Sequence, residues 1–229
     1  MTLAIRASQE ERMDAEDLPA EVLSEVLGDL AQVNAVTMAA RPTLAFLGRL
    51  ARDTTRLRVL DVGFGDGDML RRIARWAARR EVEVELVGVD LNPNAAPAAR
   101  AHTPSALGID FRTGDYAALA DEPWDAVISS LVAHHMSHAQ LVGFVRFMEA
   151  TARRGWFVND LHRHRFAHAG YPVLAGLMRW HEIVRHDGRL SIARSYRPGE
   201  WSPILAEAGV SAARVFRAFP FRLCVERLR

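Results

Sequence analysis

At 229 residues the chain has enough surface to bury for one substantial core, with at most a small appended element, and 49% hydrophobic with 25% charged residues argues against long disorder. A net charge of +1 gives no global reason to expect nucleic acid or an anionic membrane as a partner. All 29 basic residues are arginine, which removes Schiff-base catalysis and the phosphate-binding lysine of P-loops, and a single cysteine, Cys224, rules out an internal disulfide or a cysteine zinc site.

Residues 1–17 read as a polar lead. Neither that lead nor any later apolar run approaches membrane length, so no integral membrane segment and a cytoplasmic location are expected. From Leu18, the residues Val22, Val26, Leu30 and Val33 recur at helical intervals, with Leu23 and Leu27 widening the face and Pro19 in the first turn. Asn34 ends that pattern, and Leu44, Phe46, Leu47 and Leu50 give a second helix after Pro42. Residues 1–54 are therefore set apart as an N-terminal helical lid, with covering one sheet face as the other role, ahead of a domain over residues 55–229.

The stretch Val59–Leu70, VLDVGFGDGDML, organises that domain. Val59, Leu60 and Val62 suit a buried strand with Asp61 near its carboxyl end. Gly63, Gly65 and Gly67 permit positive φ and a close ligand, and Met69, Leu70 and Ile73 begin a helix, so a cofactor cradle on an open α/β sheet is expected. A dinucleotide fingerprint needs glycine or alanine where Asp68 stands, and Asp61, Asp66 and Asp68 would crowd a pyrophosphate. A cationic ligand fits better.

A second strand, Val82 to Val89, ends in Asp90, 23 residues past Gly67, where an acid accepts hydrogen bonds from ribose hydroxyls; Leu91, Asn92 and Pro93 follow. Leu107–Arg112 reads as a third strand before Thr113, Gly114, Asp115 and Tyr116. Pro123–Ser130 holds a fourth, buried strand, and Ser137 with Gln140 stands at capping-box spacing for a helix using Leu141, Phe144, Val145 and Met148. His134 and His135 fall between that strand and helix. A fifth strand, Trp156 to Val158, closes with Asn159 and Asp160, before a basic segment with His162, Arg163, His164 and His168. Tyr171 to Val184 suits a helix that includes His181. Asp187-Gly188 reads as a turn, Leu190 and Ile192 as extended, and a last helix opens at Pro198 or Pro203 and ends at Gly209. Val210–Val215 and Phe219–Glu226 then form a hairpin-like finish containing Cys224, read as a buried structural thiol.

The ordered motifs VLDVGFGDGD, VGVDLNP, TGDY and WDAVISSLVAHHM resemble class I S-adenosylmethionine (SAM)-dependent methyltransferases over about residues 55–229. LAQVNAV, VAHHM, VNDLHRHR, RHDGRLSIARSY and FPFRL look like small bacterial methyltransferases associated with type III polyketide synthases. The resemblance implies a Rossmann-like, seven-stranded, mostly parallel sheet whose last strand is antiparallel. It also implies a small-molecule aromatic or lipid-like acceptor such as a phenol or quinone-like product. Carried over by position, Asp61, Gly63, Gly65 and Gly67 hold the methionine end of SAM, Asp90 and Leu91 flank the ribose, and Asp115 with Tyr116 meets the adenine. Phe64 replaces the small or cysteine residue common in the family and narrows the cradle.

Methyl transfer needs alignment of acceptor and donor, and for a phenol it needs a base. His134 or His135, oriented by Asp160 or another acid, is the candidate base. Asp160, His162, Arg163 and His181 are candidates for binding the acceptor. His134 with His138, and His164 with His168, have i, i+4 spacing, but neither pair has an evident third ligand, so no metal is expected. O-methylation of a phenolic or polyketide-derived molecule is the leading function. C-methylation of a quinone-like ring and SAM binding without transfer are the alternatives.

Overall fold

In the computed structural model, which describes residues 3–14 and 18–229, seven strands form one sheet. They are β1 (Arg56–Val62), β2 (Glu83–Asp90), β3 (Asp110–Thr113), β4 (Trp124–Ser130), β5 (Ala152–Leu161), β6 (Arg214–Ala218) and β7 (Arg222–Leu228). Their order is β3-β2-β1-β4-β5-β7-β6. The first five are parallel, and β7 runs antiparallel to both β5 and β6, as expected from the sequence. Strand order reverses beside β1, so the carboxyl ends of β1 and β4 open a crevice suited to a ligand.

The period-2 alternation of β1 sends Leu57 and Val59 to one face and Leu60 and Val62 to the other. On the first face lie α2 (Ala40–Leu50), α3 (Asp68–Ala78) and α4 (Ala95–Ala101), with Phe46 of α2 stacked on Phe157 at 5.0 Å. On the second lie α5 (His138–Thr151) and α8 (Pro198–Glu207), packed through Phe144, Met148 and Trp201. The expected capping box of α5 is present: Ser137 Oγ accepts from Gln140 N–H, and the Gln140 side chain accepts from Ser137 N–H. Cys224 is fully buried, and burial pushes its thiol up to about 12.

The two N-terminal helices divide the roles the sequence suggests. α2 covers the sheet, whereas α1 (Ala20–Val36) runs past Asn34 and packs on α7 (Glu182–Arg194). Of the polar lead, residues 1–2 and 15–17 lie outside the described residues, as does the Leu23 side chain. The described part is docked rather than merely polar. Met13 N–H donates to Asp187 Oδ2 at 2.9 Å, Ala7 N–H donates to Ala193 O, and the Arg6 guanidinium sits 3.8 Å over the Tyr196 ring.

Four expectations change. The third strand begins only at Asp110, because Ser105–Leu107 forms a 3₁₀ turn ending at Gly108 with φ 61°. The final strands start three to four residues later than expected. The helix from Tyr171 divides into α6 (Arg165–Leu177) and α7, with Arg179 at φ 57° in the break and the His181 ring capping α7 by accepting from Ile183 N–H. Asp187-Gly188 and the Leu190/Ile192 pair lie inside α7 instead of forming a turn and an extended segment. That helix is buried on several sides, so its apolar positions mimic alternation. A side chain at 188 would collide with the Tyr171 ring, so glycine there serves close packing of α6 on α7.

Candidate active site

The carboxyl ends of β1, β2, β4 and β5 border one cavity of about 1070 Å³, enclosed on its far side by α1, α6 and α7. Its cradle is the glycine loop. Gly63 and Gly67 have φ of 75° and 76°, and a Cβ at Gly63 would strike the Val132 side chain, whereas one at Gly67 would lie 2.8 Å from the Phe111 ring. Gly63 and Gly65 line the cavity; Gly67 is set back, where it starts α3 and lets that helix approach β3. The Phe64 ring borders the cavity but packs 5.0 Å from Phe111, in space left open by Gly88.

Asp61 carries the main electrostatic signal. It is 1% exposed, neither carboxylate oxygen has a hydrogen-bond partner, and burial with the nearby charge of Asp90 pushes its carboxyl up to about 8. A buried carboxyl with no hydrogen-bond partner beside a cavity is a site for a cationic group. The acids nearby are not all available. Asp66 pairs with Arg71 and His102, and Asp68 with Arg72, so the loop does not present three free carboxylates to an anion.

Asp90 is tied to the cradle: Oδ2 accepts from Gly65 N–H and Oδ1 from Asn92 N–H, both at 2.9 Å. Leu91, 73% exposed, stands on the rim. Gly114 and Tyr116 line the wall beyond, with the Tyr116 ring packed on Phe144 and Phe147. The Asp115 carboxylate is exposed and accepts from Ala117 N–H at 2.9 Å, so it shapes the turn and is not part of the cavity wall.

His134 and His135 also line the cavity, with their rings 4.2 Å apart. His134 is held from two directions by Asp160, with Nδ1 2.7 Å from Oδ1 and its backbone N–H donating to Oδ2 at 2.8 Å. That leaves Nε2 facing Glu11 Oε1 at 3.6 Å. Burial alone would push the imidazolium down, but Asp160 and Glu11 outweigh it and hold His134 at about 9. Asp160 is buried behind the histidine, off the cavity wall, and acts through it.

Asp160 and three further expected acceptor contacts are not brought to the cavity wall. His162 is buried beside the His164 ring, Arg163 joins Ser195 O and Glu200 to brace α7 against α8, and His181 caps α7. In each case the side chain is consumed by a neighbouring element. Glu11 was not visible as a site residue, because it lies in the polar lead 123 positions before His134 and reaches the cavity only through docking on α7, where Ser191 Oγ donates to it at 2.9 Å.

Glu11, His134 and His135 are the three described residues whose ligand atoms, within 4.8 Å of one another, have the spacing of a metal site. The charges there are already balanced: protonated His134 faces Asp160, and the Arg194 guanidinium is 3.5 Å from Glu11. His138 instead faces Glu207, and His164 caps α6, so neither i, i+4 pair converges.

Residues 59–155 match the methyltransferase domain family. The ubiquinone biosynthesis O-methyltransferase of Methylocella silvestris is 33% identical over 165 residues, covering 68% of this chain and 59% of that protein. The protein of the same name from Chelativorans sp. is 29% identical over 170 residues, covering 71% and 62%. The chain thus spans about three-fifths of the length of these curated relatives. Among solved structures, a plantazolicin methyltransferase in complex with a triazolic desmethylPZN analogue and S-adenosylhomocysteine (SAH) superposes with a TM-score of 0.63 at 12% identity, over 92% of this chain and 96% of that one. Magnesium protoporphyrin IX methyltransferase from Synechocystis PCC 6803 with bound SAH gives 0.55 at 16% identity, over 95% and 91%. The sheet is the Rossmann-like class I methyltransferase fold, and the matched residues 59–155 are a methyltransferase domain, for which SAM is the cofactor.

Proposed function

We propose that the protein transfers a methyl group from SAM to a phenolic oxygen of a small aromatic acceptor. The observation that carries this reading is His134, clamped by Asp160 on the wall of the same cavity that Asp61 and the glycine loop enter. Bound SAM supplies a methyl group on a positively charged sulfur, and Asp61 receives its ammonium. Asp90 orients the ribose, and Tyr116 borders the adenine side.

The acceptor occupies the half bounded by α1 and α6, where Leu27, Leu30, Phe166 and Leu174 supply apolar surface. Residues 6–14 and α1 cover this half and exclude water, the lid role proposed for the segment 1–54. His134 Nε2 would take the phenol proton, and Asp160 would stabilise the imidazolium that forms. Because His134 is mostly protonated at neutral pH, transfer speeds up as pH rises toward 9. The relatives named as O-methyltransferases favour oxygen over carbon as the accepting atom. The resemblance to methyltransferases associated with type III polyketide synthases favours a polyketide-derived phenol.

The test is product analysis with methyl-labelled SAM and a panel of phenols, quinols and polyketide-type resorcinols. Label on a phenolic oxygen is expected. Label on a ring carbon would replace O-transfer by C-transfer, and SAM binding with no transfer to any member would mark a binding protein.

A further inference from the structure

Arg222 opens β7, opposite Leu161 of β5 and Ala218 of β6, and its side chain reaches the acceptor half of the cavity. It is 1% exposed. Its Nη2 donates to Thr37 Oγ1 at 3.2 Å, but Nε and Nη1 have no hydrogen-bond partner. Other buried arginines among the described residues are matched by carboxylates: Arg71 by Asp66, Arg163 by Glu200 and Arg194 by Glu11. Among the described residues no carboxylate forms an ion pair with Arg222. Asp160, whose charge it feels, is already engaged by His134 and by Leu161 N–H. An unpaired buried guanidinium is costly to a fold and is a strong site for an anion when it borders a cavity. Asn34, one helical turn before Thr37, also lines the cavity with a buried, unpartnered Oδ1 that suits a hydroxyl donor.

We propose that Arg222 is an anion subsite of the acceptor cavity and that the acceptor is an aromatic molecule bearing a carboxylate or an equally acidic ring hydroxyl. This assignment rests on the methyl-transfer reading for its function, but not for its test. The subsite lies where β7 starts beside the end of β5, so the anionic group anchors the ring while another oxygen faces His134.

The protein saturated with SAH is titrated by calorimetry with benzoate and with benzamide, neither of which has a phenolic oxygen to methylate. Benzoate is expected to bind at least about tenfold more tightly than benzamide. Arg222→Met removes that preference and Arg222→Lys retains most of it, with SAH binding measured first in each variant to confirm the fold. Equal binding of the two probes to the wild type, or an unchanged preference in Arg222→Met, would overturn the proposal. The wild-type comparison decides even if the methionine variant does not fold. Absence of methyl transfer to every phenol would sink the functional reading and leave the benzoate result standing. To separate a carboxylate from an acidic hydroxyl, the titration is repeated with a nitrophenol ionised at the working pH.

Discussion

Asp61→Asn is expected to weaken SAM binding by about 10- to 150-fold at pH 8, the effect of removing a charge-assisted hydrogen bond worth roughly 1.5–3 kcal/mol. The same change should stabilise the ligand-free protein. Folding lifts the Asp61 pKa from 3.8 to about 8, so between those limits the folded state holds a proton that the unfolded chain has released. Stability from this group is therefore full below about pH 4 and is lost as pH rises to about 8. The asparagine removes that loss, so the variant's melting temperature should exceed the wild type's by a margin that widens from pH 4 to pH 8. Thermal denaturation across that range, with SAM titrations alongside, checks both halves. A variant that loses stability at pH 8, or binds SAM as the wild type does, would show that Asp61 is not the unsatisfied cation site.

His134→Ala is expected to lower kcat by about 10²- to 10⁴-fold with little change in SAM affinity, because the imidazole acts on the acceptor and not on the cofactor. Asp160→Asn gives the more diagnostic result. Without the carboxylate the forces holding His134 at about 9 are weakened and burial prevails, so its pKa falls. The alkaline rise in kcat should then move to lower pH, and the maximal rate should fall as the ring loses its orientation. A structural role alone for Asp160 would reduce the rate without moving the pH profile.

Much of this arrangement is legible in the sequence, for physical reasons that differ by residue. The glycine loop, the acid at each strand end and the α5 capping box are local devices, and local devices leave fixed spacings. The pairing of His134 with Asp160 was accessible because both fall at carboxyl ends of neighbouring strands. Longer-range features left no such trace. Glu11 enters the site only because a polar segment docks on α7, and Arg222 reaches the cavity because β7 runs back antiparallel beside β5. His162 and Arg163 follow a strand that ends at the site, yet their side chains are taken up by the packing of neighbouring elements. The composition of α7 misled for a related reason. Burial on several sides erases the amphipathic period, and a glycine needed for contact with Tyr171 resembles a turn.

The central claim is that SAM docks its ammonium on a carboxyl group that is neutral in the free protein. Calorimetric titration of SAM at pH 7, repeated in buffers of different ionisation enthalpy, tests it directly. A carboxyl with a pKa of about 8 is mostly protonated at that pH, so binding should release close to one proton. Asp61→Asn should abolish the release. Binding with no buffer-dependent heat would contradict the account, as would the absence of binding at millimolar SAM.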